Sequence, residues 1–125
     1  MKHAVVFKSL SDETRLRILF VLLKAKTELC ICELMDSLDI KQYNVSKHMK
    51  ELKTAGLVKE RKEGRFVFYG LNKQKDKFVE NILRTVSSIP YHPGEVYQED
   101  IKRLKKRISL RVGCKVVVTM RKKKQ

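Results

Sequence analysis

The periodicity of apolar residues changes from helical to alternating just after Gly56, and this change constrains the fold more than any other feature of the chain. Before it, apolar residues at helical spacing predict three helices, at 11–24, 31–38 and about 42–55. After it, alternating residues on both sides of Glu63-Gly64 predict a β-hairpin. The pattern therefore predicts a mainly α fold with a small β-hairpin. We expect Ser11 to cap the first helix and Gly56 to end the third.

Helical periodicity returns after the hairpin. It predicts a helix over 73–89, which Pro90 ends, and a further helix over 95–108. A short strand is predicted at 116–118. We accordingly expect a domain at 1–89, followed at 90–125 by a basic extension made of one helix and a tail.

Charge indicates the class of partner. The 125 residues carry a net charge of +15, and the segment from Lys102 onward contains 11 Lys and Arg and no acid. A basic chain of this kind favours nucleic acid over an anionic membrane surface, and the basic tail would add non-specific attraction to phosphates. The sequence has no apolar run of the roughly 20 residues that a membrane span needs. Three cysteines are too few for a disulfide framework, so we expect reduced thiols and a cytoplasmic protein.

The order of the predicted elements is that of a winged helix-turn-helix. A short helix, a tight turn at 39–41 and a helix with a polar, basic face are followed by a charged hairpin. Such a second helix has the dimensions to enter the major groove of DNA, and the hairpin can flank it. Between Lys41 and Arg65 the chain has eight basic and three acidic residues, as phosphate contacts require.

Side-chain chemistry assigns roles within this unit. Short hydrogen-bonding side chains suit base edges, Tyr43 suits stacking or a thymine methyl, and lysines suit phosphates. The candidate DNA-contacting residues are Gln42, Tyr43, Asn44, Ser46, Lys47, His48, Lys50, Lys62 and Arg65. His48 lies beside the apolar stripe and fits a backbone-bonded flank residue equally well. The charges of Lys62 and Arg65 are also typical of a hairpin tip that is charged for solubility.

Cys30 and Cys32 open the short helix that precedes the predicted recognition helix. Residues two apart in a regular helix lie on different sides, so both sulfurs hold one ion only if Cys30 sits at or before the first turn, or if that turn distorts. A helix N-terminus lowers thiol pKa, and thiolates bind thiophilic ions. The alternative is that both are small buried apolar residues.

Several segments together resemble the ArsR/SmtB family of winged-helix repressors: SDETRLRIL, ELCICELMDSL, and VSKHMKEL followed by GLV. The resemblance covers about residues 3–89. It implies a homodimer that binds operator DNA and is released by a metal or metalloid, with the first predicted helix and the 73–89 helix forming the dimer interface. It also implies that Cys30 and Cys32 bind the inducer, and As(III) or Sb(III) fits this pair best.

One position departs from the pattern of the arsenic-responsive branch, which is CxCxxC. Met35 stands at the third position, where a neutral thioether is a poor substitute for thiolate. Either two thiols suffice, or Cys114 of the same or the other subunit completes the site, or sensing is weakened. The candidate metal ligands are thus Cys30, Cys32 and Cys114. A tetrahedral zinc site like that of the zinc-sensing branch is not expected, because Asp76, Glu80 and His92 lack its spacing.

Other readings of the cysteines stay open. The cadmium- and lead-sensing branch adds N-terminal cysteines, where this chain offers only His3, while Cu(I) and a reversible disulfide switch are further alternatives. A constitutive architectural DNA-binding protein with inert cysteines is the alternative from another class. An enzyme is not expected, because the sequence has no Gly-rich phosphate loop and its three histidines form no cluster. We expect no permanently bound cofactor and no organic small-molecule substrate.

Overall fold

The computed structural model describes residues 3–72, 76–90 and 92–111. The elements are, in chain order, α1 (His3–Ser9), α2 (Glu13–Ala25), β1 (Leu29–Cys30), α3 (Ile31–Leu38), α4 (Gln42–Thr54), β2 (Val58–Glu63), β3 (Phe66–Leu71), α5 (Lys77–Ser87) and α6 (Val96–Ser109). The predicted mainly α fold with a hairpin wing is confirmed, as are the helices expected at 31–38, 42–55 and 95–108. The strand predicted at 116–118 and Cys114 lie outside the described residues.

The start of the chain differs from the prediction. Ser11 does not cap α2, because a short helix, α1, precedes it, and the Ser11 hydroxyl donates to the carbonyl of Lys8 at 2.7 Å. Asp12 is the N-cap instead, and its carboxylate accepts from the backbone N–H of Arg15 at 3.1 Å. Likewise α5 begins later than predicted, since Asp76 caps it by accepting from Phe78 N–H at 2.8 Å.

The core is built around α2. Its middle residues, Ile18–Leu22, are fully buried, and α3 and α4 pack their apolar stripes against them. Helix α6 belongs to the same core, since Tyr97, Ile101 and Leu104 are buried in it. The C-terminal helix is therefore packed on the helix-turn-helix, a placement that its composition did not reveal.

A tight turn connects α3 to α4. Asp39 takes a left-handed conformation with φ 54°, and its N–H donates to the carbonyl of Met35, which ends α3. Gly56 ends α4 as predicted: with φ 81° it lets Leu57 N–H bond to the carbonyl of Leu52 at 3.1 Å. The two helices are thus fixed relative to each other.

The three strands form an antiparallel sheet in the order β1-β3-β2. The hairpin pairs Glu63 with Phe66 around Gly64, which has φ 60°. Strand β1 is only two residues long and was not predicted, but it places Cys30 opposite Phe68 of the wing.

Candidate DNA interface and thiol site

Helix α4 has a buried stripe and an exposed polar face. Val45, Met49 and Leu52 are buried against the core. The predicted contact residues Gln42, Tyr43, Ser46, Lys47 and Lys50 are all exposed, and Asn44 is half-buried. Tyr43 has 74% of its surface exposed, which is unusual for a large aromatic residue. The structure therefore brings these side chains together on one accessible surface, which we call the recognition face.

His48 is not on the recognition face. It retains only 9% exposure. Its Nδ1 lies 3.3 Å from the guanidinium of Arg15 and 3.7 Å from the carboxylate of Asp12. Burial lowers the pKa of His48, and the charges of Arg15 and Lys47 add to the effect while Asp12 opposes it. The ring thus joins α4 to the start of α2, and this position disfavours a direct contact with DNA.

The wing presents two of its basic residues to solvent. Lys62 and Arg65 are exposed on either side of Gly64, and neither forms an ion pair with a described residue. Arg61 differs, because it binds Glu28 at 2.9 Å and lies over the Phe68 ring at 4.7 Å. The two candidate wing residues are therefore accessible, whereas Arg61 packs on the sheet.

The two cysteines lie where the sequence required them for a shared ion. Cys30 is the N-cap of α3, with extended backbone (φ −78°, ψ 163°), and Cys32 is in the first turn. The two thiols share a hydrogen bond. This bond and burial both raise the pKa of Cys30. The same bond lowers the pKa of Cys32 to about 7. Cys30 is buried and Cys32 half-buried. This geometry allows both sulfurs to reach one ion.

Two arginines of α6 and one just after its end bind α3. We call them the arginine ladder: Arg103, Arg107 and Arg111. Arg103 Nε donates to the carbonyl of Ser37 at 2.8 Å. Arg107 Nε donates to Asp36 Oδ2 at 2.8 Å. Arg111 binds the Glu33 carboxylate through two nitrogens, at 2.5 and 2.6 Å. The ladder thus fastens the C-terminal helix to the helix that carries the thiols.

Further bonds extend this network beyond the ladder. The buried carboxylate of Asp100 accepts two bonds from Arg17, both 2.8 Å, and one from Arg103, also 2.8 Å. Arg17 in turn donates to the carbonyl of Leu38 at 2.7 Å. Helices α2, α3 and α6 are therefore held together by buried polar bonds as well as by apolar packing.

Arg107 stands out within the ladder. Its side chain is completely buried, and its two terminal nitrogens have no hydrogen-bond partner among the described residues. Its charge contributes to the low pKa of Cys32, after the larger effect of the hydrogen bond from Cys30. Sequence reasoning treated these arginines as part of a basic extension. The signal that could have revealed them is their spacing of four residues, which places Arg103 and Arg107 on one face of α6 and continues that spacing to Arg111, just after the helix.

The donor set near the thiols is small. Among the described residues, no group of three or more His, Cys, Asp and Glu is placed to hold a metal ion. Glu33 also accepts from the backbone N–H of Cys30 at 3.1 Å, so both carboxylates near the thiols are already bonded within the protein. Met35 packs against the core as a half-buried residue. The site therefore offers two thiols, which suits a thiophilic ion of low coordination number.

Comparison with known proteins places this arrangement in a family. The profile described as "Bacterial regulatory protein, arsR family" matches residues 12–60. The chain is 42% identical over 79 residues to the arsenic resistance transcriptional regulator ArsR2 of Pseudomonas putida, a match covering 63% of this chain and 68% of that protein. The chain belongs to the arsR family. It is also 37% identical to ArsR1 of the same organism, covering 66% of this chain and 63% of that relative's length.

Relatives of other names and solved structures agree with this assignment. The cadmium resistance regulatory protein CadC homolog of Staphylococcus aureus is 40% identical over 62% of this chain and 63% of its own length. HlyU from Vibrio cholerae has the same fold with a TM-score of 0.58 and 34% identity, covering 67% of this chain and 86% of that one. The winged-helix arsR assignment predicted from the residues is thus confirmed.

The family also decides the class of activity. Its members named above are regulators, and membership of this family confirms the prediction of a DNA-binding regulator rather than an enzyme. None of the helices in the described part of the arsR-family chain is long and apolar enough to cross a membrane.

Proposed function

We propose that this arsR-family protein is a homodimeric repressor that binds operator DNA in the cytoplasm and is released when As(III) or Sb(III) binds Cys30 and Cys32. The observation that carries the proposal is the thiol pair at the start of α3, because this helix directly precedes the recognition helix. The names of the relatives ArsR1 and ArsR2 support a link to arsenic.

The recognition face and the wing would bind the operator. Gln42, Asn44 and Ser46 lie in the first half of α4, where they would meet base edges in a major groove. Lys47, Lys50 and the wing residues would bind phosphates and set the position of the helix. Two such helices in a dimer would meet successive major grooves, roughly 34 Å apart.

The number of donors near the thiols supports a trivalent inducer. Cd(II) and Pb(II) favour more ligands than the described residues bring to the thiols, whereas trivalent arsenic and antimony need three bonds in all. Cu(I) accepts two thiolates and is the strongest competing ion. A Cys30–Cys32 disulfide that responds to oxidants is the alternative without an ion.

The thiols are coupled to both DNA-binding elements. Cys30 pairs with Phe68 in the sheet that carries the wing, and α3 packs on α4 across the turn at Asp39. An ion that draws the two sulfurs together would distort the first turn of α3. That change would tilt α4 and shift the wing. The contacts with DNA would then differ between the inducer-bound and inducer-free states, as coupling between the two sites requires.

The surface of α1 and α5 is the proposed dimer interface. The first predicted helix, now α2, is buried through its middle, where Ile18–Leu22 pack in the core of the protein. Phe7 of α1 is 57% exposed and Val5 39% exposed. Phe7 lies edge-on to Phe78 of α5, with ring centroids 5.5 Å apart. We therefore expect α1 to take the place of α2 in a dimer with α5.

The test is fluorescence anisotropy of labelled DNA from upstream of the protein's own gene, with fully reduced protein titrated anaerobically with arsenite and then with divalent metals. We expect release at near-stoichiometric arsenite. Cys30→Ser and Cys32→Ser should each keep DNA binding and lose release, while Met35→Leu, the matched control on the same helix, should keep both. The Cys114→Ser variant tests whether the third cysteine contributes to binding of the inducer.

Two results would contradict the proposal. A Cys32→Ser protein that still responds to arsenite would show that the thiols are not the inducer site. Affinity that falls equally with salt on all DNA sequences, with no release by any thiophile, would instead indicate a constitutive architectural protein.

A further inference from the structure

We infer that Arg107 completes the inducer site: bound As(III) keeps one hydroxide ligand beside the two thiolates, and the free N–H groups of Arg107 donate to its oxygen. The inference rests on the proposed function and names the third ligand of the same site. It explains how a chain with Met35 in place of a third cysteine on α3 can still bind a trivalent ion.

Arg107 has hydrogen-bonding capacity that the protein does not use. It is 0% exposed, Nε is bonded to Asp36, and both terminal nitrogens have no partner among the described residues. Buried donors without partners are rare, because leaving such a group unsatisfied is energetically costly. The neighbouring Arg103 and Arg111 each donate through Nε and a terminal nitrogen, so Arg107 is the exception within the ladder.

The helix register places Arg107 near the thiols. Asp36 follows Cys32 by four residues in α3, so the two side chains lie on the same face of the helix. Asp36 holds Arg107 by its Nε, which leaves the other end of the guanidinium fork available beside that face.

The carboxylates near the thiols are each held by an arginine of the ladder. Glu33 is bonded to Arg111 and to the N–H of Cys30, and Asp36 is bonded to Arg107. Met35 supplies only a neutral thioether. A trivalent ion held by Cys30 and Cys32 therefore lacks a third protein ligand among the described residues, and an oxygen that it brings itself fills the position.

The binding reaction balances without any redox change. Arsenous acid, As(OH)₃, reacts with the two thiols to form two S–As bonds, while two As–O bonds break. Each departing hydroxide takes one thiol proton and leaves as water. One As–OH group remains, and its oxygen lone pairs accept from the Arg107 guanidinium.

The test compares two arsenicals that differ only in the third ligand. Arsenite leaves an As–OH group after binding two thiols, whereas phenylarsine oxide leaves an As–phenyl group that accepts no comparable hydrogen bond. Arg107→Lys keeps the charge beside Asp36 but loses the fork. We expect it to weaken arsenite binding by about tenfold, the value of one hydrogen bond to a charged group, and to leave the phenylarsine affinity within about twofold.

Arg103→Lys is the matched control. Its guanidinium is bonded to Ser37 and Asp100, so this variant should change the affinities for both arsenicals equally or not at all. An Arg107→Lys protein that binds both compounds equally less well, or both unchanged, would overturn the inference. Thermal unfolding of each variant without ligand checks that its fold is kept.

X-ray absorption at the arsenic edge gives a second readout on the wild-type full chain. We expect two sulfur neighbours and one oxygen. Three sulfurs would overturn the inference and leave the proposed function standing, with a further cysteine as third ligand. If the wild-type protein binds neither arsenical, the proposed function itself fails.

Discussion

The two helices of the helix-turn-helix use charge in opposite ways. In α3, Glu33 and Asp36 are fully buried and each is bonded to an arginine from the C-terminal segment. In α4, Lys47 and Lys50 are exposed and form no ion pair with any described residue. The charges of Glu33 and Asp36 on α3 are thus paired inside the protein, whereas the charges of Lys47 and Lys50 on α4 are available to a partner.

The buried and the exposed charges differ in how much their loss changes the free energy of folding. A buried pair contributes little compared with an apolar pair of the same shape, but breaking it leaves an unpaired buried charge at a cost of about 3 to 5 kcal/mol. Exposed charges are well solvated and contribute little to folding, so they are available for phosphates. Helix α3, which carries the proposed inducer site, is therefore held by buried ion pairs, and the polar face of α4, the proposed recognition helix, is accessible.

The largest effect on stability is expected from breaking the buried ion pair between Asp36 of α3 and Arg107. Asp36→Ala leaves the Arg107 charge buried without its partner, and we expect the free energy of unfolding to fall by about 3 to 5 kcal/mol. Urea denaturation of the reduced protein measures it. Lys102→Ala is the control on α6, because the exposed Lys102–Glu99 pair should contribute less than about 1 kcal/mol. Equal losses in both variants would remove the contrast between the two kinds of charge.

An intermediate effect is expected on α4, without loss of stability. Gln42→Ala should change sequence preference by about 1 to 3 kcal/mol at one operator position, because it removes a base contact. Lys47→Ala should weaken binding to all sequences alike and reduce the salt slope by about one, because it removes a phosphate contact. Competition binding over operator variants at several salt concentrations distinguishes a lost base contact from a lost phosphate contact. Unchanged preference in Gln42→Ala would refute its assignment to base readout.

The smallest effect is expected from His48 on the inner flank of α4. Burial lowers its pKa in the folded protein below the ordinary value of 6.5, so the unfolded chain takes up the proton first as pH falls. The resulting stability is present above pH 6.5 and is lost as pH falls below it. His48→Gln should therefore flatten the stability profile between about pH 7.5 and pH 5. An unchanged profile would assign the pH dependence to other groups.

Sequence patterns were informative where a single element carries the signal. The stripe of Val45, Met49 and Leu52 predicted both α4 and its exposed face, and Gly56 marked the end of that helix. Sequence patterns did not predict elements whose packing or pairing partners are distant in the chain. Helix α1 has only seven residues, and β1 has two and exists because β3 pairs with it.

The same distinction between local and distant signals holds for the thiol site. The CxC spacing by itself predicted that Cys30 must sit before the first turn of α3 for two sulfurs to reach one ion, and the structure meets that condition. No local pattern predicted Arg107 beside them, since 71 residues separate it from Asp36.

The sequence by itself determined the helix-turn-helix, the wing, the recognition face and the thiol pair, because each depends on periodicity or spacing within a few residues. Only the tertiary structure decided that α6 packs on α3 and that Arg107 and Arg111 bind buried carboxylates there. The physical reason is that a buried charge is stable only when a specific partner lies within hydrogen-bond distance, and the folded chain alone brings such partners together.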